Sequence, residues 1–121
     1  MKILIIEDSA ETANLEKTIL EKEGNQVLIS KTAKKGIQKA KKINPDLILL
    51  DNNLPGMQGT EACKKLKQNP QTADITIIML TSDTKIEDIE FALYKGADAY
   101  ITKPFDADTL WDKIQRKLKN I

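Results

Sequence analysis

At 121 residues the chain has single-domain length, and a domain of this size buries roughly 65% of its unfolded surface without disulfides or structural metal. Its 19 basic and 18 acidic side chains nearly cancel, which excludes nucleic-acid binding driven by bulk charge. There is no histidine, and Cys63 is the one cysteine. Histidine-based nucleophilic chemistry, histidine metal sites and an internal disulfide are therefore excluded, leaving carboxylates, hydroxyls and lysine.

The start, Met1-Lys2-Ile3, leads directly into the apolar run Ile3-Leu4-Ile5-Ile6, which ends in the acids Glu7 and Asp8. That is unlike a secretory signal, and no apolar segment approaches the ~20 residues of a membrane span, so a cytoplasmic protein is expected. Ser9 is a candidate N-cap for a first helix, and Gly24 stands where that helix needs a left-handed end. A short run at 27–29 follows, then Thr32 as the N-cap of a second helix. That helix is rich in lysine (31, 34, 35, 39, 41 and 42) but has no interleaved aromatic residue, so it reads as a solvated face.

The third run, Leu47-Ile48-Leu49-Leu50, ends in Asp51, and Asn52, Asn53, Leu54, Pro55 and Gly56 then turn the chain. Cys63 falls in a third helix as a small apolar residue. A fourth run at 75–80 leads to Thr81. Thr84-Lys85-Ile86-Glu87 has capping-box form, and Ile86, Ile89, Ala92 and Leu93 share one helix face before the cap at Gly96. The last run, 99–101, is followed by Lys103 and Pro104. Asp106 is a candidate N-cap for a final helix whose core face holds Leu110, Trp111, Ile114 and Leu118.

Five strands alternating with five helices predict one α/β domain over residues 1–121, a doubly wound parallel sheet between two helical layers. The strongest apolar runs are continuous rather than alternating, as in strands buried on both faces. In a flavodoxin-like order, 2-1-3-4-5, the first and third strands are neighbours, and Glu7, Asp8 and Asp51 converge at the carboxyl edge of the sheet. At an effective dielectric near 20, each close pair of carboxylates costs on the order of 4 kcal/mol. A cation relieves that cost, and an all-oxygen donor set selects Mg²⁺ first, with Mn²⁺ or Ca²⁺ after it. Asp51 is the acid best placed to act as a nucleophile toward a phosphoryl group, with Lys103 and Thr81 as donors to its oxygens.

With these residues in place, the chain resembles the response-regulator receiver domains of two-component signalling, in the single-domain form of a chemotaxis regulator. The likeness rests on four stretches: the acid pair Glu7 and Asp8, and Asp51 followed by Leu54, Pro55, Gly56, Met57 and Gly59, then Thr81-Ser82, and the run Gly-Ala-Asp-Ala-Tyr-Ile-Thr-Lys-Pro-Phe at 96–105. It implies Asp51 as phosphoacceptor, Asp8 as a direct Mg²⁺ ligand, Glu7 acting through bound water, and the Asn53 carbonyl as a further ligand. It also implies Thr81 and Lys103 on the phosphoryl oxygens, a cis bond before Pro104, and Tyr100 as a switch aromatic that turns inward on phosphorylation. Asn53 and Asp83 hold positions that tune dephosphorylation in this family. The partners implied are a histidine kinase or phosphotransfer protein upstream and a protein target on the face of the fourth helix, fifth strand and fifth helix. Direct nucleic-acid or membrane contact is not expected. Ala99 stands where dimerising regulators carry an acid, so a monomer or weak dimer is expected.

Two other classes fit the residues less well. A phosphohydrolase of the haloacid-dehalogenase type needs a second acid two residues after its nucleophile, and Asn53 fills that place. A flavin-binding module is disfavoured because its first loop would bring acids against phosphate. A receiver excised from a hybrid kinase or a longer regulator would have this same sequence pattern.

Overall fold

The structure, a computed structural model, describes residues 1–82 and 86–121, without the side chains of 86–88 and 91. In chain order the elements are β1 (Lys2–Ile6), α1 (Ala10–Glu21), β2 (Gln26–Ser30), α2 (Ala33–Ile43), β3 (Leu47–Asp51), α3 (Gly59–Gln68), β4 (Thr76–Thr81), α4 (Ile86–Tyr94), β5 (Ala99–Thr102) and α5 (Leu110–Lys119). The strands form one sheet in the order β2-β1-β3-β4-β5, with every pairing parallel. This is the flavodoxin-like architecture expected from the runs of apolar residues.

The continuous runs reconcile with a period of two because both sheet faces are covered. Ile3, Ile5, Leu47, Leu49, Ile78 and Leu80 share a cluster with Ala13 and Leu20 of α1 and Leu110 and Ile114 of α5. Leu4, Ile6, Ile48, Leu50, Ile77 and Met79 pack with Ala33 and Ala40 of α2, Ala62, Cys63 and Leu66 of α3, and Ala92 of α4. Trp111 lies partly buried against the first cluster and Cys63 fully within the second, as expected for both.

Local signals set the helix ends. The Ser9 and Thr32 side chains accept hydrogen bonds from Thr12 N and Lys35 N, at 3.2 and 3.1 Å. Gly24 and Gly96 have φ of +87° and +110°, the left-handed turn predicted at both positions. The end of α2 carried no glycine signal and uses Asn44 instead, at φ 48°. Two expectations need correction. Asp106 does not cap α5; its carboxylate accepts from Asp108 N at 2.9 Å and closes a turn, and the helix begins only after Thr109. Leu93 is 43% exposed rather than part of the α4 core stripe, because Ala92 (1% exposed) already occupies the inward position. Thr84 and Lys85, the start of the expected capping box, lie outside the described residues, as does Asp83.

The sheet order reverses at β1, which has β2 on one side and β3 on the other. Helices leave opposite faces there, so the carboxyl ends of β1 and β3 border an open crevice.

Candidate functional site

Strand register brings the candidate residues level. Ile6 pairs with Leu50, so Glu7 and Asp51 follow side by side. Asp51 in turn pairs with Leu80, and Thr81 pairs with Thr102, which puts Lys103 one residue beyond. A hydrogen bond from Glu7 N to Ser30 O, 3.0 Å, extends the β1–β2 ladder past the strand and steadies the first acid. Another from Lys103 N to Thr81 O, 2.6 Å, does the same at the other edge. The Lys103–Pro104 peptide bond is cis, as the resemblance implied.

Glu7, Asp8 and Asp51 each offer a carboxylate oxygen, and these atoms lie within 4.8 Å of one another. Asp8 is exposed, whereas Glu7 and Asp51 are buried at 3% and 8% exposure. Lys103 spans two of the three acids: its Nζ donates to Glu7 Oε1 at 2.6 Å and lies 3.7 Å from Asp51 Oδ1. Burial lowers the affinity of the ammonium for its proton, but the Glu7 hydrogen bond and the charges of Asp51, Glu7 and Glu16 outweigh that, and its pKa is raised. The lysine is thus held as a cation. An all-oxygen cluster this tight, open on the Asp8 side, suits a hard divalent ion that keeps some of its water, so the residues present fit Mg²⁺.

The loop after β3 is shaped by two glycines. Gly56, at φ +81°, completes the turn that Pro55 begins. Gly59 opens α3 against the strand end: a Cβ there would press on the Asp51 carbonyl and lie 2.8 Å from Asn52 Cα. Its N–H instead donates to Asn52 O at 2.9 Å, which curls the loop so that Asn53 N meets Asp51 Oδ1 at 3.4 Å. The Asn53 side chain is exposed.

Thr81 is fully buried at the end of β4, and Tyr100 is 8% exposed within the cluster that holds Met79 and Ala92. The ring therefore has the inward placement that the resemblance associates with the phosphorylated form. One residue beside the site escaped the sequence reading. Glu16 of α1 is 1% exposed, and Lys103, Glu7 and Asp51 all act on its carboxyl. The signal was present in the spacing, since Glu16 lies three residues after Ala13 and four before Leu20, on the inward stripe.

Known proteins agree with this geometry. The response regulator receiver domain family matches residues 3–115. The response regulator ArlR of Staphylococcus saprophyticus is 42% identical over 120 residues, spanning 98% of this chain and 52% of its own length. The phosphate regulon transcriptional regulatory protein PhoB of Escherichia coli is 37% identical over 120 residues, 99% of this chain and 52% of its own. The chain thus spans about half the length of the curated relatives it matches. Among solved structures, the chemotaxis response regulator CheY4 of Vibrio cholerae superposes with a TM-score of 0.90 at 30% identity, covering 96% of this chain and 97% of that one. A CheY-like receiver domain from Methanospirillum hungatei gives 0.88 at 38% identity, covering 98% and 94%. The sheet order, the acids level at its carboxyl edge and these matches together make the chain a member of the response regulator receiver domain family of two-component signal transduction.

Proposed function

We propose that this chain is a phosphorylation-dependent switch in which Asp51 takes a phosphoryl group from a phosphohistidine on a histidine kinase or phosphotransfer protein. The observation that carries this reading is the placement of Asp51: a buried carboxylate in the crevice, 3.7 Å from a lysine ammonium and within 4.8 Å of the oxygens of two other acids. An Asp51 oxygen attacks phosphorus, the phosphorus–nitrogen bond of the donor breaks, and the imidazole leaves with the bonding pair. Glu7, Asp8, Asp51 and the Asn53 carbonyl would hold Mg²⁺, with Mn²⁺ as a substitute. When bound, the ion neutralises the acids and draws charge from the phosphoryl oxygens. Lys103 leaves Glu7 to pair with those oxygens, and the Thr81 hydroxyl donates from the opposite side.

Phosphorylation adds about −1.5 to −2 where −1 stood before, so the new oxygen acceptors matter more than bulk charge. Moving a two-state switch from 1:99 to 99:1 takes about 5.5 kcal/mol, which a few charge-assisted hydrogen bonds supply. The signal would pass through Thr81 and Tyr100 to the α4–β5–α5 face. Support for that exit comes from Leu93, exposed at 43%, which lines a cleft of about 490 Å³ together with Ile89, Tyr100, Lys117 and Asn120. Asn53 and Asp83 would set the lifetime of the phosphoryl group.

Incubation with acetyl phosphate and Mg²⁺, followed by intact mass, tests the reading. One phosphoryl group on the wild type and none on Asp51→Ala is expected. Modification that persists in Asp51→Ala overturns the assignment, and steady multiple turnover of a generic phosphate ester returns the chain to the hydrolases.

A further inference from the structure

The inward stripe of α1 runs through Ala13, Glu16 and Leu20, and its middle member is a carboxylic acid where an aliphatic side chain would pack without penalty. Glu16 is 1% exposed, and its Oε1 has no hydrogen-bond partner among the described residues. Buried polar atoms are normally paired, so a bare acceptor in a packed interior asks what it serves. Its surroundings answer. Burial pushes the Glu16 carboxyl up to about 8, Lys103 opposes the rise, and Glu7 and Asp51 add to it. Those three groups come from three different elements: the end of β1, the end of β3 and the loop after β5. Glu16 in turn is one of the acids acting on Lys103. Lys103 also lines a surface cleft with Thr12 and Leu15 of the same helix, which places the acceptor near the ammonium rather than in the remote core.

The ammonium has three N–H donors. One is committed to Glu7 at 2.6 Å, while Asp51 stands at 3.7 Å. The Lys103 side chain is 21% exposed, and as it shifts from Glu7 toward a group on Asp51 its remaining N–H donors on the protein side need an acceptor. We propose that Glu16 is a positioning residue for Lys103, its buried Oε1 accepting an ammonium N–H as the lysine turns from Glu7 toward the phosphoryl group on Asp51. The inference rests on the phosphoacceptor reading above.

Two substitutions separate positioning from packing. Glu16→Gln keeps the carbonyl acceptor and the shape, whereas Glu16→Leu keeps the bulk, suits the apolar stripe and removes the acceptor. Phosphorylation by acetyl phosphate with Mg²⁺ at pH 7 is followed by intact mass, and the Lys103 Cε and Nζ resonances by NMR in labelled protein. The glutamine variant is expected within about twofold of wild type, and the leucine variant slower by about fivefold, the factor one hydrogen bond of ordinary net strength carries in a rate. The leucine variant should slow although it unfolds at or above the wild-type temperature, and its Lys103 resonances should move while those of Glu16→Gln do not. A leucine variant phosphorylated at the wild-type rate overturns the proposal whatever its stability. If it does not fold, Glu16→Met, unbranched and also without an acceptor, is read in its place by the same criteria. If wild type takes no phosphoryl group on Asp51, the phosphoacceptor reading fails on its own. The resonances then decide the positioning role, and Lys103 signals unmoved in Glu16→Leu overturn it.

Discussion

Replacing Glu16 by glutamine should stabilise the protein by an amount that grows with pH. In the folded chain the Glu16 carboxyl titrates at about 8, against 4.5 for the free group. Between those values the folded state holds a proton that the unfolded state has released, so unfolding is favoured more at each step upward in pH. Stability contributed by the protonated carboxyl is therefore fully present below about 4.5 and is lost as pH rises to about 8, above which the loss is constant. At 1.36 kcal/mol per pH unit, wild type gives up about 3 kcal/mol relative to Glu16→Gln at pH 7 and about 5 kcal/mol at pH 9. Glutamine has the same size and never ionises, so the other titrating groups contribute almost equally to both proteins and largely cancel in the difference. Urea unfolding of the pair in metal-free buffer at pH 5, 6, 7, 8 and 9 measures it directly. The two curves should nearly coincide at pH 5 and part steadily until about 8. A gap that stays flat across this range would refute the claim that Glu16 is buried as a neutral acid.

Gly59→Ala should destabilise by about 1–3 kcal/mol in urea, because the new methyl meets the Asp51 backbone carbonyl, which has no rotamer with which to yield. Asp98→Ala should cost a similar ~1–3 kcal/mol, since it strips hydrogen bonds of 2.8 Å from both Lys67 Nζ and Ile77 N; an unchanged unfolding midpoint would show the pair to be idle. Mg²⁺ at a hundredfold excess over its dissociation constant should raise stability by about 2.7 kcal/mol, and Asp8→Ala should abolish the gain, as read by thermal melts with and without the ion. Asp83→Ala should change the lifetime of the phosphoryl group, followed by intact mass after the donor is removed; identical decay in both proteins would remove Asp83 from that role.

Much of the fold was legible because its strands are buried on both faces. The runs at 3–6, 47–50 and 75–80 needed no alternation to be recognised, and Ser9, Thr32, Gly24 and Gly96 marked helix ends through chemistry that acts within a few residues. The misreadings arose where local signals compete. Asp106 has the side chain of an N-cap, yet the chain first spends that carboxylate on Asp108 N. Leu93 fits the helical period, but Ile89 and Ala92 pack against the second cluster while Leu93 falls at the edge of the stripe and stays 43% exposed.

The sequence by itself determined which groups stand at strand ends, since a carboxylate after an apolar run is a local fact. It therefore named Glu7, Asp8, Asp51, Thr81 and Lys103 together. Only the tertiary structure decided which partner each one meets. Lys103 is 96 positions from Glu7, and it reaches that acid at 2.6 Å because parallel strands β1, β3, β4 and β5 end in register at one edge. Glu16 is the clearest case. In sequence it is one acid in a charged helix, and α1 against the sheet turns it into a buried carboxyl beside Lys103, because desolvation and proximity are properties of packing rather than of residue type.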